Sequence, residues 1–330
     1  MRYLFELSGE HPELPSLEAE ALLRSCGDAD LIEKDCLAAV FQSSSVPGDF
    51  ASRISLSHYL SEHMLSTELD DLSSEIEKFD FSGIENASIS VRVAHERRGQ
   101  IDGRKLTREL GGIVSRSTGI DLENPEMRLR VYVGNRAHLG IQLKAVDRSQ
   151  YEKRKNRFLP FTSPISIHPR LARGLINLTA KSVKDIVLDP FCGTGAFLIE
   201  AALMQMEAYG SDISPKMIAG SRRNLEHLGI EAHLMQTDVG EIGRLGRRFD
   251  CIVTDPPYGR SASTNREPAD ALYSRALDAF SENLVGRGRV GIIVPNTDIL
   301  DFEDRFKLVT NASLRVHRSL IRNFVVLERI

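Results

Sequence analysis

The sequence predicts an α/β protein in which an N-terminal α+β region precedes a doubly wound parallel sheet. Three observations lead to this prediction. Beyond residue 185, apolar strand-like runs alternate with helix-forming segments, which is the pattern of βαβ units. A glycine turn joins the first of these strands to its helix, and acidic residues close the strands that follow. Before residue 147, alternation of apolar side chains indicates short strands around a few helices.

Composition and length set the broad class of the protein. A chain of 330 residues is long enough for two domains with cores of ordinary size. The four cysteines form no Cys-x-x-Cys pair, which disfavours both a disulfide framework and a zinc site. No apolar run reaches the length of a membrane span, and strand-like sequence begins at Arg2, so we expect no signal peptide. We therefore expect a cytoplasmic protein that needs no metal.

The charge of the chain is distributed unevenly. The formal net charge is −4, but the first 91 residues hold 5 Lys or Arg against 18 Asp or Glu, and residues 92–157 hold 16 against 8. A basic segment in an otherwise acidic protein predicts a phosphate-binding surface. A solvated helix face is the commoner explanation of such a run, and it remains the alternative.

The elements of the first region follow from periodicity. The pattern predicts strands at 2–8 and 36–42, and helices at 16–26 and 57–67. The second helix is inferred from Leu60, Met64 and Leu65, which would share one side. From residue 87, a strand, a helix at 103–117 and a hairpin form a compact βαββ unit.

The glycine turn carries the first candidate site. It has the sequence Asp189-Pro190-Phe191-Cys192-Gly193-Thr194-Gly195. Its two glycines would let a ligand approach the backbone closely. The third glycine of the dinucleotide fingerprint is missing, and so is the Gly-Lys-Ser/Thr ending of a phosphate loop. Asp212 and Asp238 close the next two strands, and an acidic residue about twenty positions after such a turn accepts bonds from ribose hydroxyls. An ordinary βα turn is the alternative that these aspartates disfavour.

A second motif, Asp255-Pro256-Pro257-Tyr258, follows the apolar strand at 251–254. It resembles the catalytic motif of amino-group methyltransferases that use S-adenosylmethionine. The two prolines fix φ and stiffen the turn, which would hold the Asp255 carboxylate and the Pro256 carbonyl as acceptors for one exocyclic NH2 group. The Tyr258 ring offers a surface on which a base could stack. The alternative is a proline turn that only ends a strand.

A resemblance covers nearly the whole chain. Four segments, in this order, resemble a THUMP domain, which grips the acceptor end of tRNA: Ser90–Val93, Leu106–Gly111, Ile120–Pro125 and Asp147–Tyr151. The acidic segment before them is similar to the ferredoxin-like domain that usually precedes THUMP. With the glycine turn and the Asp-Pro-Pro-Tyr motif, the chain resembles the archaeal-type tRNA (guanine-10-N2)-methyltransferases.

The resemblance implies four parts. Residues 1–80 would be ferredoxin-like, 81–146 a THUMP RNA-binding domain, 147–163 a linker, and 164–330 a seven-stranded Rossmann-like methyltransferase domain. It also implies S-adenosylmethionine as cofactor, with Asp212 at the ribose and Asp238 at the adenine. His168, at the start of the helix before the glycine turn, would lie beside the methionine part or only cap that helix. The expected cofactor-binding residues are Asp189, Phe191, Gly193, Thr194, Gly195, Asp212, Ile213, Asp238, Val239 and His168.

The expected substrate is tRNA, methylated on the exocyclic N2 amine of a guanosine. The expected RNA-binding residues are Arg104, Lys105, Arg108, Arg148, Lys153, Arg154 and Lys155. Three alternatives stay open: a ribosomal-RNA guanine-N2 methyltransferase, an adenine-N6 or cytosine-N4 amino-methyltransferase, and an RNA-binding protein with an inactive methyltransferase domain. The sequence does not decide between one and two methyl groups, the oligomeric state, or the need for a small zinc-binding activator subunit.

Overall fold

The computed structural model describes residues 1–164, 166–257, 267–317 and 320–330. They form two compact units, which we call unit 1 (Met1–Asp147) and unit 2 (Arg148–Ile330). Each unit contains one sheet. Within the described ranges, none of the helices combines the length and the apolar character needed to cross a bilayer. The finer division at about residues 80 and 147–163 stays a prediction.

Unit 1 is an eight-stranded sheet with four short helices. Its strands are β1 (Arg2–Leu7), β2 (Asp30–Asp35), β3 (Ala38–Gln42), β4 (Ser57–Thr67), β5 (Asn86–Val93), β6 (Gly119–Ile120), β7 (Met127–Val133) and β8 (Ala137–Ala145). Its helices are α1 (Leu14–Arg24), α2 (Pro47–Phe50), α3 (Leu72–Glu77) and α4 (Gly103–Val114). The strand order is β2-β3-β1-β4-β8-β7-β5-β6, so β4 and β8 join the two halves of this sheet.

The segment Ser57–Thr67 is strand β4, so the predicted helix at 57–67 is wrong. The strand pairs antiparallel with β1 on one side and β8 on the other, which satisfies its backbone groups on both edges. Leu60 is fully buried, but Met64 is 41% exposed, so the apolar residues do not form one helical face. Long-range pairing therefore overrides the weak local periodicity of this segment.

A buried ion pair ties the two halves of the unit 1 sheet together. Glu6 in β1 is fully buried and accepts two hydrogen bonds from Arg130 in β7, at 2.6 and 2.9 Å. The Arg130 guanidinium also lies 3.4 Å from the centroid of the Tyr59 ring and donates to Ser90 Oγ at 3.0 Å. Because two strands separate β1 from β7, this pair spans the joint between β4 and β8.

Unit 2 has the predicted doubly wound architecture. Its strands are β9 (Val187–Asp189), β10 (Ala208–Asp212), β11 (His233–Gln236), β12 (Phe249–Thr254), β13 (Leu284–Val294), β14 (Phe306–His317) and β15 (Leu320–Arg329). Its helices are α5 (Ser149–Lys153), α6 (Pro169–Thr179), α7 (Ala196–Leu203), α8 (Pro215–His227) and α9 (Ala269–Asn283). The strand order is β11-β10-β9-β12-β13-β15-β14. The first five strands of this order are parallel, and β14 and β15 form an antiparallel hairpin.

Helices cover both faces of the unit 2 sheet. On one face, Val290 and Ile292 of β13 belong to the core that includes the apolar side of α9. On the other face, a Cβ added to Gly291 would lie 2.1 Å from Thr179 Oγ1 and 3.1 Å from Leu175, so α6 lies close above this strand. Alternate residues of a strand point to opposite faces, which explains why one strand contacts both helices.

Replacing Glu6 with alanine should destabilise unit 1 strongly. The Arg130 guanidinium would stay buried without its carboxylate, which costs about 3–5 kcal/mol. Urea unfolding of the full chain, followed by circular dichroism, measures the loss. The control is Glu20→Ala, which breaks a largely exposed pair with Arg24 and should cost only about 0.3–0.5 kcal/mol. Equal losses in the two variants would contradict the role given to the buried pair.

Candidate active site

The site lies where β9 and β12 run side by side. The strand order reverses between these two strands, and ligands of such sheets bind at the carboxyl ends beside this switch point. Asp189 ends β9, and its Oδ1 accepts from Thr254 Oγ1 at 2.7 Å and from the Phe191 N–H at 3.2 Å. Burial raises the pKa of Asp189 to about 8, and the charges of Asp212 and Asp255 add to this. Asp189, the first of the predicted cofactor-binding residues, therefore lies at the edge where a ligand would bind.

Side chains of helix α8 bind the backbone of the glycine turn. Gly193 and Gly195 have φ of 50° and 84°, left-handed values that favour glycine. Ser221 Oγ donates to Gly193 O at 2.9 Å, and Asn224 Nδ2 donates to Thr194 O at 3.0 Å. A Cβ at Gly193 would have Phe191 O, at 3.8 Å, as its nearest neighbour, so the backbone here can be approached closely.

Asp212 ends β10 and is fixed by two backbone donors. Its Oδ2 accepts from the Gly193 N–H at 3.1 Å, and its Oδ1 accepts from the Ser214 N–H at 2.9 Å. Burial raises the pKa of Asp212 despite these bonds. Ile213, the next residue, is 42% exposed and offers an apolar surface beside the carboxylate. This pairing of an acceptor with an apolar contact suits a nucleoside.

Asp238 follows β11 and lies beside a cation. Its Oδ1 accepts from the Gly240 N–H at 2.9 Å, and its carboxylate forms an ion pair with Arg275 of α9. The same guanidinium binds Glu267 at 2.7 Å. Burial raises the pKa of Asp238, but the bonds from Arg275 and Gly240 outweigh it and bring the pKa below its usual value. This carboxylate is therefore an ionised acceptor at neutral pH.

Asp255 immediately follows β12, and the two oxygens of its carboxylate differ in their partners. Its Oδ2 lies 3.4 Å from Nη2 of Arg322, whereas its Oδ1 is buried without a hydrogen-bond partner among the described residues. Burial raises the pKa of Asp255 to about 6, and Arg322 opposes this rise. Pro256 is buried and Pro257 is half-buried. Tyr258, the last residue of the predicted motif, lies outside the described residues.

Three further residues in or beside the site have clear local roles. His168 is the N-cap of α6: its Nδ1 accepts from the Arg170 N–H at 3.2 Å, and its Nε2 lies 3.4 Å from Glu152. Cys192 is buried in the turn, and burial raises its pKa well above the usual value, so it is a poor thiolate nucleophile. Val239, which follows Asp238, contributes its side chain to the core of unit 2.

The expected RNA-binding residues differ in exposure. Those of α4 (Arg104, Lys105 and Arg108) are exposed on the outer side of the helix, whose N-cap is Asp102. In unit 2, Lys153 is exposed, whereas Arg148 and Lys155 are half-buried. Arg154 is only 11% exposed and binds Glu200 at 2.9 and 3.2 Å. Because its guanidinium is engaged inside unit 2, we leave Arg154 out of the RNA-binding proposal.

The sequence analysis missed the side chains that position the carboxylates and the turn. They are Ser221, Asn224, Thr254, Arg275 and Arg322. Ser221 and Asn224 are three residues apart on α8, a spacing that places them on one face, but nothing local says that this face meets the glycine turn. The two arginines come from elements distant in sequence and carry no motif of their own.

Comparisons with known proteins agree on the kind of enzyme. A family model described as "RMKL-like, methyltransferase domain" matches residues 156–323, and a DNA methylase model matches residues 81–223. A tRNA (guanine(10)-N2)-dimethyltransferase of Methanothermobacter thermautotrophicus is 37% identical over 100% of both chains. A protein of the same name from Pyrococcus abyssi is 31% identical over 99% of both chains.

A solved structure supports the architecture. TrmN from Thermus thermophilus matches 100% of both chains with a TM-score of 0.56 and 23% sequence identity, a likeness of fold. The two full-length relatives and the family model that spans half of the chain also identify the family. The chain belongs to the tRNA (guanine(10)-N2)-dimethyltransferase family, and its second unit is an RMKL-like methyltransferase domain.

Proposed function

We propose that this protein transfers methyl groups from S-adenosylmethionine to the exocyclic N2 amine of guanosine 10 in tRNA. The observation that carries the proposal is the Asp255 carboxylate at the switch point, with Oδ1 buried and unpartnered among the described residues. A buried acceptor without a partner costs free energy unless a donor arrives, and an exocyclic amine supplies one. The named activity of the full-length relatives gives the base and the nucleic acid.

The residues of the site fit S-adenosylmethionine. Asp212 would accept from the ribose hydroxyls, and the exposed side of Ile213 would contact the adenine. Asp238, ionised and next along the sheet edge, would accept from the adenine amine. The Gly193–Gly195 turn and Asp189 would hold the methionine part. When bound, S-adenosylmethionine supplies an electrophilic methyl group.

The protein's contribution to methyl transfer is to position the amine. The lone pair of an exocyclic amine is delocalised into the base, so the amine is a weak nucleophile. Asp255 Oδ1 and the Pro256 carbonyl would accept from its two N–H groups and direct the lone pair toward the methyl carbon. The rate enhancement then comes chiefly from orientation in a direct displacement. Tyr258 keeps its expected role as a stacking surface for the base.

RNA binding is assigned to unit 1. The exposed Arg104, Lys105 and Arg108 of α4 form one basic surface that could contact phosphates. We keep the THUMP assignment of residues 81–146, a cytoplasmic location and the optional activator subunit as parts of the proposal. The number of methyl groups transferred, one or two, is measured directly by mass spectrometry of the tRNA nucleosides.

The first prediction concerns the methyl donor. Asp212→Ala should weaken the binding of S-adenosylmethionine by about 1–3 kcal/mol, because ribose hydroxyls would lose their acceptor. Isothermal titration calorimetry measures the affinity. The exposed Asp304 provides the matched control, and Asp304→Ala should bind the donor as the parent does. Parental affinity in Asp212→Ala would show that the ribose site is elsewhere.

The second prediction concerns tRNA affinity. Reversing the charges of Arg104, Lys105 and Arg108 to glutamate should weaken tRNA binding and flatten its dependence on salt, because phosphate contacts release counterions. Fluorescence anisotropy with tRNA at several salt concentrations measures both. A control that reverses the exposed Arg24, Lys34 and Lys78 changes the net charge equally and should have the smaller effect. The same loss in both triple variants would mean that the basic side of α4 is only a solvated helix face and does not bind tRNA specifically.

The third prediction concerns catalysis. Asp255→Ala should lower the rate of methyl transfer about 100- to 1,000-fold, because it removes an acceptor that acts in the transition state. Donor affinity should stay near the parental value. Single-turnover methylation of tRNA, with donor and RNA saturating, measures the rate, and Asp304→Ala again serves as control. A near-parental rate in Asp255→Ala would remove Asp255 from the mechanism.

A further inference from the structure

An arginine from the last hairpin reaches the candidate catalytic carboxylate. Arg322 lies near the start of β15, and its Nη2 is 3.4 Å from Asp255 Oδ2. The two side chains are 11% and 12% exposed, so solvent screens this pair only weakly. Neither the Asp-Pro-Pro-Tyr motif nor the relatives' names assign Arg322 a role. Its position therefore calls for an explanation from the structure itself.

The backbone that carries Arg322 is anchored at the same edge of the sheet. The neighbouring residue, Asn323, pairs with Val294 at the carboxyl end of β13. Its Nδ2 donates to Val294 O at 3.2 Å and to Pro295 O at 3.0 Å, and its Oδ1 accepts from Ser313 Oγ at 2.6 Å. The two bonds from Nδ2 tie the hairpin to the carboxyl end of β13, and the bond from Ser313 joins the two strands of the hairpin. The approach of Arg322 to Asp255 is thus built into the sheet.

The two carboxylate oxygens of Asp255 have different surroundings. Arg322 lies against Oδ2, and Oδ1 is buried without a partner among the described residues. Asp189 of β9 lies at the same edge, and its own pKa is raised by burial first and then by the charges of Asp212 and Asp255. Burial raises the pKa of Asp255 to about 6, and the positive charge of Arg322 limits this rise. Without a cation the carboxyl would hold its proton to higher pH.

We propose that Arg322 is a positioning residue for methyl transfer: it keeps the Asp255 carboxylate ionised and turned so that Oδ1 faces the base amine. The proposal deepens the function given above and rests on it for the identity of the amine. Ionisation matters because a protonated carboxyl has one acceptor fewer and an O–H that would compete with the amine. Arg322 itself need not touch the substrate.

The test is the pH dependence of the reaction. In the parent, the initial rate at low donor concentration, which follows kcat/KM, should rise with pH and level off above a pKa near 6. Arg322→Gln should shift this curve to higher pH. A shift of one pKa unit would lower the rate about tenfold below the parental pKa and change it little near pH 9. Arg322→Lys should keep the parental curve, because it keeps the charge.

A control variant separates this role from a structural one. Arg315, an exposed arginine of the same hairpin, provides the matched variant, and Arg315→Gln should show the parental pH curve. A loss of rate that is equal at every pH in Arg322→Gln, or no loss at all, would overturn the proposal.

A second measurement does not depend on the substrate. Carbon-13 NMR of protein labelled at the aspartate carboxyl carbons follows the titration of Asp255 directly, with Asp255→Asn used to assign its signal. A higher pKa in Arg322→Gln than in the parent supports the proposal, and an unchanged pKa overturns it. If the parent protein methylated no tRNA while this pKa still moved, the proposed substrate would fail and the role of Arg322 toward Asp255 would stand.

Discussion

The parallel pairing of β9 with β12 determines where the chemistry of this protein can occur. Chain connectivity turns in opposite directions on the two sides of this pair, so the loops after β9 and β12 leave a crevice between them. The bond from Thr254 to Asp189 links the two strand ends across the crevice. The glycine turn starts from one strand and the Asp255 motif from the other. A register change at this pair would separate the proposed donor site from the proposed amine acceptor.

Four carboxylates at one sheet edge would repel one another, and the structure limits this repulsion differently for each. Asp238 has the guanidinium of Arg275, and Asp212 accepts from two backbone N–H groups. Asp189, with its raised pKa, is largely protonated at neutral pH and so adds little negative charge. Asp255 has Arg322 on one oxygen. The edge thus has three acceptors, Asp212, Asp238 and Asp255, and avoids the repulsion that four close negative charges would cause.

The parts of this site that sequence could predict are those encoded locally. A strand, a turn and the residue that closes them lie within a few positions, so the glycine turn and the carboxylates at the strand ends could be placed from the sequence. Arg322 lies far along the chain from Asp255, and the antiparallel pairing of β15 with β13 brings them together. The error at Ser57–Thr67 has the same origin, because β4 is defined by its partners β1 and β8. Local pattern carries no information about such pairing.

In the proposed mechanism, the arrangement around Asp255 recognises an amine and leaves the choice of base to other parts of the protein. Adenine, cytosine and guanine all carry an exocyclic NH2 group, and one carboxylate oxygen with one carbonyl can accept from any of them. The DNA methylase model ends at residue 223, before Asp255, so that match concerns the glycine turn and Asp212 rather than the amine acceptor. Selection of guanosine in tRNA must then depend on how RNA is held, and the exposed basic face of α4 in unit 1 is the described surface suited to that task. On this account, changes in α4 should alter which RNA is methylated, whereas changes at Asp255 or Arg322 should alter how fast.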